Sequence, residues 1–365
     1  MGRGSCGYHR LLAVGKPQTK RDLADPGPLA GALERWFAAA ARDLPWRTTP
    51  RDPYRSLVSE LMAQQTQISR VVEKFTPFLE RFPTVHALAG APEDEVLAAW
   101  SGLGYYRRAR LLQSCARAIV DDHDGRVPAT AAELKALPGV GEYTAGAIAS
   151  IVFGQPEPAV DGNVVRVLLR VHNADLQQDA PSTRRWAADH ARGLAQAARS
   201  PGAVAEALME LGATVCTPGA PKCGGCPIAD RCAARAAGTT GTIPAPKARA
   251  AVRVLHCASV LDVDGRGRLL VERRPDSGMW AGLWQAPTLE SPDAEPTDDD
   301  VREFVGARTV EPGDAFEHKT THRLVRFRVW RSSGARAGQT RVRRTTAQIT
   351  ELGLSNPQRR ILLGG

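Results

Sequence analysis

The sequence predicts two domains, an all-helical one followed by a smaller α+β one. Three observations carry this. Apolar residues recur at helical spacing from Leu29 to about Ala237. A stretch that holds Gly, Thr, Pro, Lys and Arg with little apolar content follows at 238–249. Beyond it the pattern alternates as strands do. The 365 residues are enough for two hydrophobic cores.

Taken in order, residues 1–28 mix Gly, Pro and charge and read as a disordered tail. Residues 29–237 then form the helical domain, with Leu29, Leu33, Trp36 and Phe37, and later Leu57, Val58, Leu61 and Met62, as core positions. Pro and Gly clusters at 44–53, 82–84, 102–104, 137–141 and 155–162 separate short helices. Residues 238–249 read as a linker and 250–365 as the α+β domain. There, 252–263 and 268–272 read as a hairpin closed by Asp264–Gly267, and 322–330 as a strand. Ser291–Asp300 reads as an acidic loop, with helices over 300–305 and 357–363.

Lys plus Arg exceed Asp plus Glu by nine (48 − 39), a balance that suits a polyanionic partner without requiring one. Seven cysteines, four of them within residues 216–232, do not make a disulfide scaffold. Cys6, Cys115 and Cys257 read as free thiols of a reduced, intracellular protein. No apolar run reaches membrane-span length, so no membrane partner is expected.

Four segments carry chemistry. Cys216, Cys223, Cys226 and Cys232, spaced C-x6-C-x2-C-x5-C among glycines and prolines, make a soft four-thiolate site. Zinc and a 4Fe–4S cluster both satisfy that description. Leu137-Pro138-Gly139-Val140-Gly141 lies between two helical patterns, and its amides could hold a phosphate as easily as make an ordinary turn. Asp161, before Gly162 and Asn163, is placed to cap a helix. Glu60 stands in an apolar helical run, where it is either solvated or buried for a reason.

The cysteine spacing resembles the cluster loop of the endonuclease III superfamily of helix-hairpin-helix DNA glycosylases. Ser59-Glu60-Leu61-Met62-Ala63-Gln64-Gln65-Thr66, Leu44-Pro45-Trp46-Arg47, Gly102-Leu103-Gly104-Tyr105-Tyr106 and Asp161-Gly162-Asn163-Val164 resemble the adenine DNA glycosylase (MutY) family within it. The resemblance implies a structural 4Fe–4S cluster on the four cysteines. It implies adenine excision from a mispair with 8-oxoguanine or guanine in double-stranded DNA, by a monomer associated with the cytoplasmic nucleoid. Glu60 would protonate the adenine, and Asp161 would stabilise the sugar cation or attack it. Tyr143 and Asn163 would orient these groups. Tyr105 would act as a wedge, with Gln65 and Thr66 beside the mispair, and Arg42, Trp46, Arg47, Leu103, Gly139, Val140 and Gly141 would complete the DNA surface. The superfamily's Schiff-base enzymes carry a lysine just after the hairpin, where this chain has Tyr143, so the expected enzyme is monofunctional. Lys135, before the hairpin, reads as a solvated charge, and the basic Arg107-Arg108 pair places Tyr105 toward DNA.

The family also appends a Nudix-like domain. Glu272-Arg273-Arg274-Pro275 and Met279–Pro287 resemble its entry, while the clustered glutamates of a catalytic Nudix helix are missing. The lesion-reading Phe-Ser-His of the family corresponds to Thr320-Thr321-His322, which keeps the histidine and a hydroxyl and loses the aromatic ring. Three alternatives remain at this stage: a bifunctional glycosylase for pyrimidine lesions, a non-catalytic damage sensor, and a Nudix hydrolase.

Overall fold

A computed structural model describes residues 25–245, 252–320, 322–338 and 340–364. The chain forms two compact units, one from residues 25–41 and 156–245, the other from residues 42–155 and 252–364. The helical half runs through α1 (Gly27–Ala40), α2 (Pro53–Ala63), α3 (Ile68–Arg81), α4 (Val85–Gly90), α5 (Glu93–Ala99) and α6 (Arg107–Asp122). It continues with α7 (Ala131–Ala136), α8 (Glu142–Ile151), α9 (Gly162–Val171), α10 (Pro181–Ala197), α11 (Pro201–Thr214) and α12 (Ala233–Ala236).

In the first unit, Leu29, Leu33 and Phe37 of α1 pack with Val164 and Leu168 of α9 and Leu208 and Leu211 of α11. Because α1 starts at Gly27 with Pro28 in its first turn, the helix takes in two residues assigned to the tail. Residues 1–24 lie outside the described residues. The linker assignment also needs correction. Ile243 is buried in this unit's core and its carbonyl accepts from Arg170 Nε at 2.7 Å, so this residue anchors the segment 238–245 to the unit.

In the second unit, α2 begins at a Pro at its first position behind Asp52, whose side chain accepts from Arg55 N at 2.8 Å. Such a cap stabilises a helix by about 1 kcal/mol. Leu57, Val58, Leu61 and Met62 then face Val71, Phe75 and Phe78 of α3.

The α+β part contains β1 (Arg253–Asp262), β2 (Leu269–Arg273), β3 (Trp284–Gln285), β4 (Thr288–Ser291), α13 (Asp298–Val305), β5 (Thr309–Lys319), β6 (Arg323–Ser333), β7 (Arg341–Arg344), α14 (Thr346–Thr350) and α15 (Asn356–Leu363). Two sheets form, ordered β4-β1-β6-β5 and β3-β2-β7. The turn at Asp264 is present, its carboxylate accepting from the amides of Arg266 and Arg268. The hairpin it was expected to close is not. After one bridge, Val263 to Leu269, β1 and β2 part into different sheets, and β1 pairs in parallel with β6. Local turn chemistry could not report that long-range partner. The acidic loop is shorter than expected, because Thr297 and Asp300 form a capping box that starts α13 at Asp298.

This α+β part and the helices of the same unit share a core. Leu283, fully buried, sits among the helix side chains. Tyr106 donates its hydroxyl to the Leu354 carbonyl at 2.6 Å, and Arg110 donates to the Ala281 carbonyl at 2.9 Å.

Candidate active-site residues and the cluster loop

Asp161 caps α9 as its position suggested, and its geometry holds more than a cap. One carboxylate oxygen accepts from Val164 N at 2.8 Å and the other from Asn163 Nδ2 at 2.8 Å. Burial pushes the carboxyl above the ordinary aspartate range, opposed by those two hydrogen bonds and by the nearby Arg166.

Residues 164–171 of α9 are buried throughout, including Arg166 and Arg170. A buried guanidinium must be satisfied, and both are. Arg166 Nη2 donates to Asn163 Oδ1 and to the Gly212 carbonyl, each at 2.8 Å, and its Nε donates to the Cys216 carbonyl at 2.9 Å. One turn on, Arg170 Nη1 donates to Cys216 Sγ at 3.3 Å and to the Thr217 carbonyl at 2.8 Å. A methyl group on Gly212 would come within 2.6 Å of Asn163 Cβ. These arginines were not singled out in the sequence. The available signal was two charges four residues apart in an otherwise apolar helix.

The cysteine loop leaves α11 and turns through two short 3-10 segments, Cys223–Gly225 and Ala229–Arg231. Ile228, 3% exposed, anchors it in the core. Cys216, Cys223, Cys226 and Cys232 line one small cavity together with Arg170. Burial pushes Cys226 up to about 11, and the other three cysteines add to this, so the set suits thiolates gathered around a cationic centre. Among the described residues, no three such ligands converge as a single ion requires. Four cysteines lining one cavity are a donor set that fits a 4Fe–4S cluster. Cys115 and Cys257 are buried free thiols, each pushed up to about 12, and Cys6 lies outside the described residues.

The second unit holds Glu60 and Tyr143. Glu60 is half-buried near the end of α2 and its Oε2 is shielded from solvent. Tyr143 stands second in α8, immediately after the hairpin, also half-buried. Gln64 Nε2 ties the end of α2 to α8 through Thr144 Oγ1 at 3.3 Å. In the hairpin only Gly139 needs the left-handed region (φ 77°), and a methyl there would meet Leu111 Cβ at 2.7 Å. Gly141 has φ −91° with open space around it, while the Val140 side chain is buried, so this turn offers its backbone. Lys135 is not merely solvated, for it spans the hairpin to Glu142 at 2.8 Å on the surface.

Around the expected wedge, Tyr105 is 44% exposed and Gln65 is exposed, both with left-handed backbones (φ 47° and 55°). Non-glycine residues are held so only where the surroundings impose it. Arg108 imposes it. Rather than facing DNA, it is buried and donates to the carbonyls of Leu61, Met62, Leu103 and Gly104 and to Thr66 Oγ1, at 2.8 to 3.2 Å. Burial lowers it to about 10. Leu103 is 4% exposed, so its side chain belongs to the core and only its carbonyl serves this loop. Trp46 packs edge-on to Phe75, and Arg47 Nη1 donates to the Arg42 carbonyl at 2.7 Å, bracing residues 42–47.

In the α+β part, the acids of α13 are engaged locally: Asp300 caps Thr297 and Asp299 pairs with Arg302. Among the described residues no acidic metal site forms. His322 is exposed and its carbonyl accepts from Arg253 N. Thr321 lies outside the described residues.

Three family models match the chain: HhH-GPD superfamily base excision DNA repair protein over residues 58–189, iron-sulfur binding domain of endonuclease III over 216–232, and NUDIX domain over 258–364. An adenine DNA glycosylase of Mycolicibacterium smegmatis is 43% identical over 239 residues, covering 65% of this chain and 78% of that protein. The chain belongs to the adenine DNA glycosylase family. The human adenine DNA glycosylase is 39% identical over 323 residues, 74% of this chain and 59% of that protein. The chain thus spans about three fifths of its human relative. The solved structure of a thermostable thymine-DNA glycosylase aligns at TM-score 0.51 and 26% identity, over 58% of this chain and 97% of that one. As an adenine DNA glycosylase family member, the chain carries a 4Fe–4S cluster, and its iron-sulfur binding domain match spans the four cysteines.

Proposed function

We propose that this protein is a monofunctional glycosylase of base excision repair that removes adenine paired with 8-oxoguanine or guanine in duplex DNA. The observation that carries the reading is the fixed carboxylate of Asp161, held at both oxygens and joined through Asn163 and Arg166 to the cluster loop. A group so held can face a developing positive charge without reorganising.

In the proposed reaction the target adenosine leaves the stack. Glu60 passes its proton to a ring nitrogen of adenine, the bond from the base to the sugar carbon breaks, and the electron pair departs with the base. Asp161 stabilises the cation that remains, or bonds to it transiently. Water then adds its oxygen to that carbon and returns a proton to a carboxylate. Tyr143 and Asn163 orient the two acids, and Tyr105 and Gln65 occupy the space the base leaves. Thr320 in place of an aromatic residue leaves the reading of 8-oxoguanine to hydrogen bonds from Thr321 and His322. We further propose that the protein acts as a monomer on nucleoid DNA.

The test is incubation with an A:8-oxoguanine duplex followed by alkali. The wild-type chain is expected to leave an alkali-labile site, and Glu60→Gln is expected to bind the mispair while releasing no adenine. Normal turnover by that variant would remove Glu60 from its role. Borohydride is expected to trap no adduct, and efficient trapping would overturn the monofunctional reading.

A further inference from the structure

Arg253 opens β1 and Arg323 opens β6, and the parallel register places them side by side. Neighbouring strands lie about 4.8 Å apart. The ladder runs unbroken from this pair to Asp262 and Ser332, so both side chains share the face of Leu255, Cys257, Val325 and Phe327. Both are exposed, and neither has a carboxylate partner among the described residues. Nearby arginines do: Arg274 pairs with Glu290, Arg326 with Glu317 and Arg328 with Glu295. Like charges facing each other across a ladder are unfavourable unless an anion lies between them.

Their position gives this pair a partner. Arg253 N donates to the His322 carbonyl, and Arg323 follows His322 in the chain. Thr320 closes the turn, its Oγ1 accepting from Arg323 N at 3.0 Å and its own N donating to the Arg323 carbonyl at 2.8 Å. Two unneutralised guanidiniums therefore flank His322, one through the chain and one through a backbone hydrogen bond.

We propose that Arg253 and Arg323 form a phosphate clamp for duplex DNA, gripping the backbone of the strand opposite the excised adenine. This deepens the glycosylase reading and rests on it for the choice of strand. A phosphate bridging the two guanidiniums removes their repulsion and takes charge-assisted hydrogen bonds from both. It also seats His322 beside the strand, a placement useful in a loop that lacks an aromatic contact.

The test is the salt dependence of binding to an A:8-oxoguanine duplex. Removing one guanidinium from a DNA phosphate should flatten the slope of log K against log salt by about one. Arg253→Gln and Arg323→Gln are each expected to do so, and the double variant by about two. Arg253→Lys and Arg323→Lys keep the charge and should restore the slope. Arg331→Gln, exposed at the far end of β6 opposite Glu311, is the control and should leave the slope as it was. An unchanged slope in the double variant, or an equal fall in Arg331→Gln, overturns the clamp. If the wild-type chain binds duplex but leaves no alkali-labile site, the glycosylase reading fails while the slopes still decide the clamp.

Discussion

In the proposed reaction Asp161, the cap of α9, must also be a stabilising anion, and its surroundings pull its carboxyl in opposite directions. Burial favours the protonated form, while the hydrogen bonds from Val164 and Asn163 favour the ionised one. The competent form is the carboxylate, so excision should fall as pH drops through a pKa that lies above the ordinary aspartate range. Asn163→Ala deletes one of the hydrogen bonds that lower it. The acid limb of the single-turnover rate should therefore move to higher pH, beyond any loss of rate at the plateau. A limb that stays in place would mean that Asn163 does not tune Asp161. At this scale the sequence was a good guide to the four cysteines, whose spacing matches an iron-sulfur binding domain. It did not reveal that Arg108 and Leu103 are buried, because a charge beside a glycine-rich loop and an apolar residue within it do not declare whether they face inward. Only packing decides that, and packing buried both.

The helix-hairpin-helix element shows how two glycines of one turn differ. The left-handed φ of Gly139 and the nearby Leu111 make any side chain there costly, of order 1–3 kcal/mol from backbone strain alone. Gly141 has an ordinary backbone and free space. Gly139→Ala is expected to lower the thermal midpoint and weaken duplex binding. If the turn's amides hold a phosphate, Gly141→Ala should leave the midpoint where it is and weaken binding alone. Equal loss of stability in both variants would contradict this division. The reading of 137–141 as a turn between helices needed only the Pro-Gly pattern. By contrast, the expected β1–β2 hairpin failed because a well-formed turn at Asp264 fixes the chain for only one bridge before each strand finds its partner elsewhere.

At the scale of the whole molecule, a linear division into a helical domain and an appended one hides how the chain packs. Residues 42–155 share a compact unit with the α+β part, and α1 joins helices that follow it by more than a hundred residues. Periodicity reports which face of an element is apolar and is silent on which other element covers it, so this arrangement was not legible in the sequence. Leu283 is the keystone of the shared core: it lies in a loop of the α+β part, has no exposed surface, and sits among side chains of the helices. Gly353 brings a second loop close, since a methyl group there would meet Leu97 Cβ at 2.7 Å. Truncating a buried leucine to alanine costs about 2–5 kcal/mol, depending on how far the site collapses. Because one core serves both parts, Leu283→Ala should reduce amide-exchange protection in α5 and α6 as well as in β2, with a single lowered unfolding transition for the unit. Loss confined to the strands would show instead that the α+β part unfolds independently of the helices against which Leu283 packs.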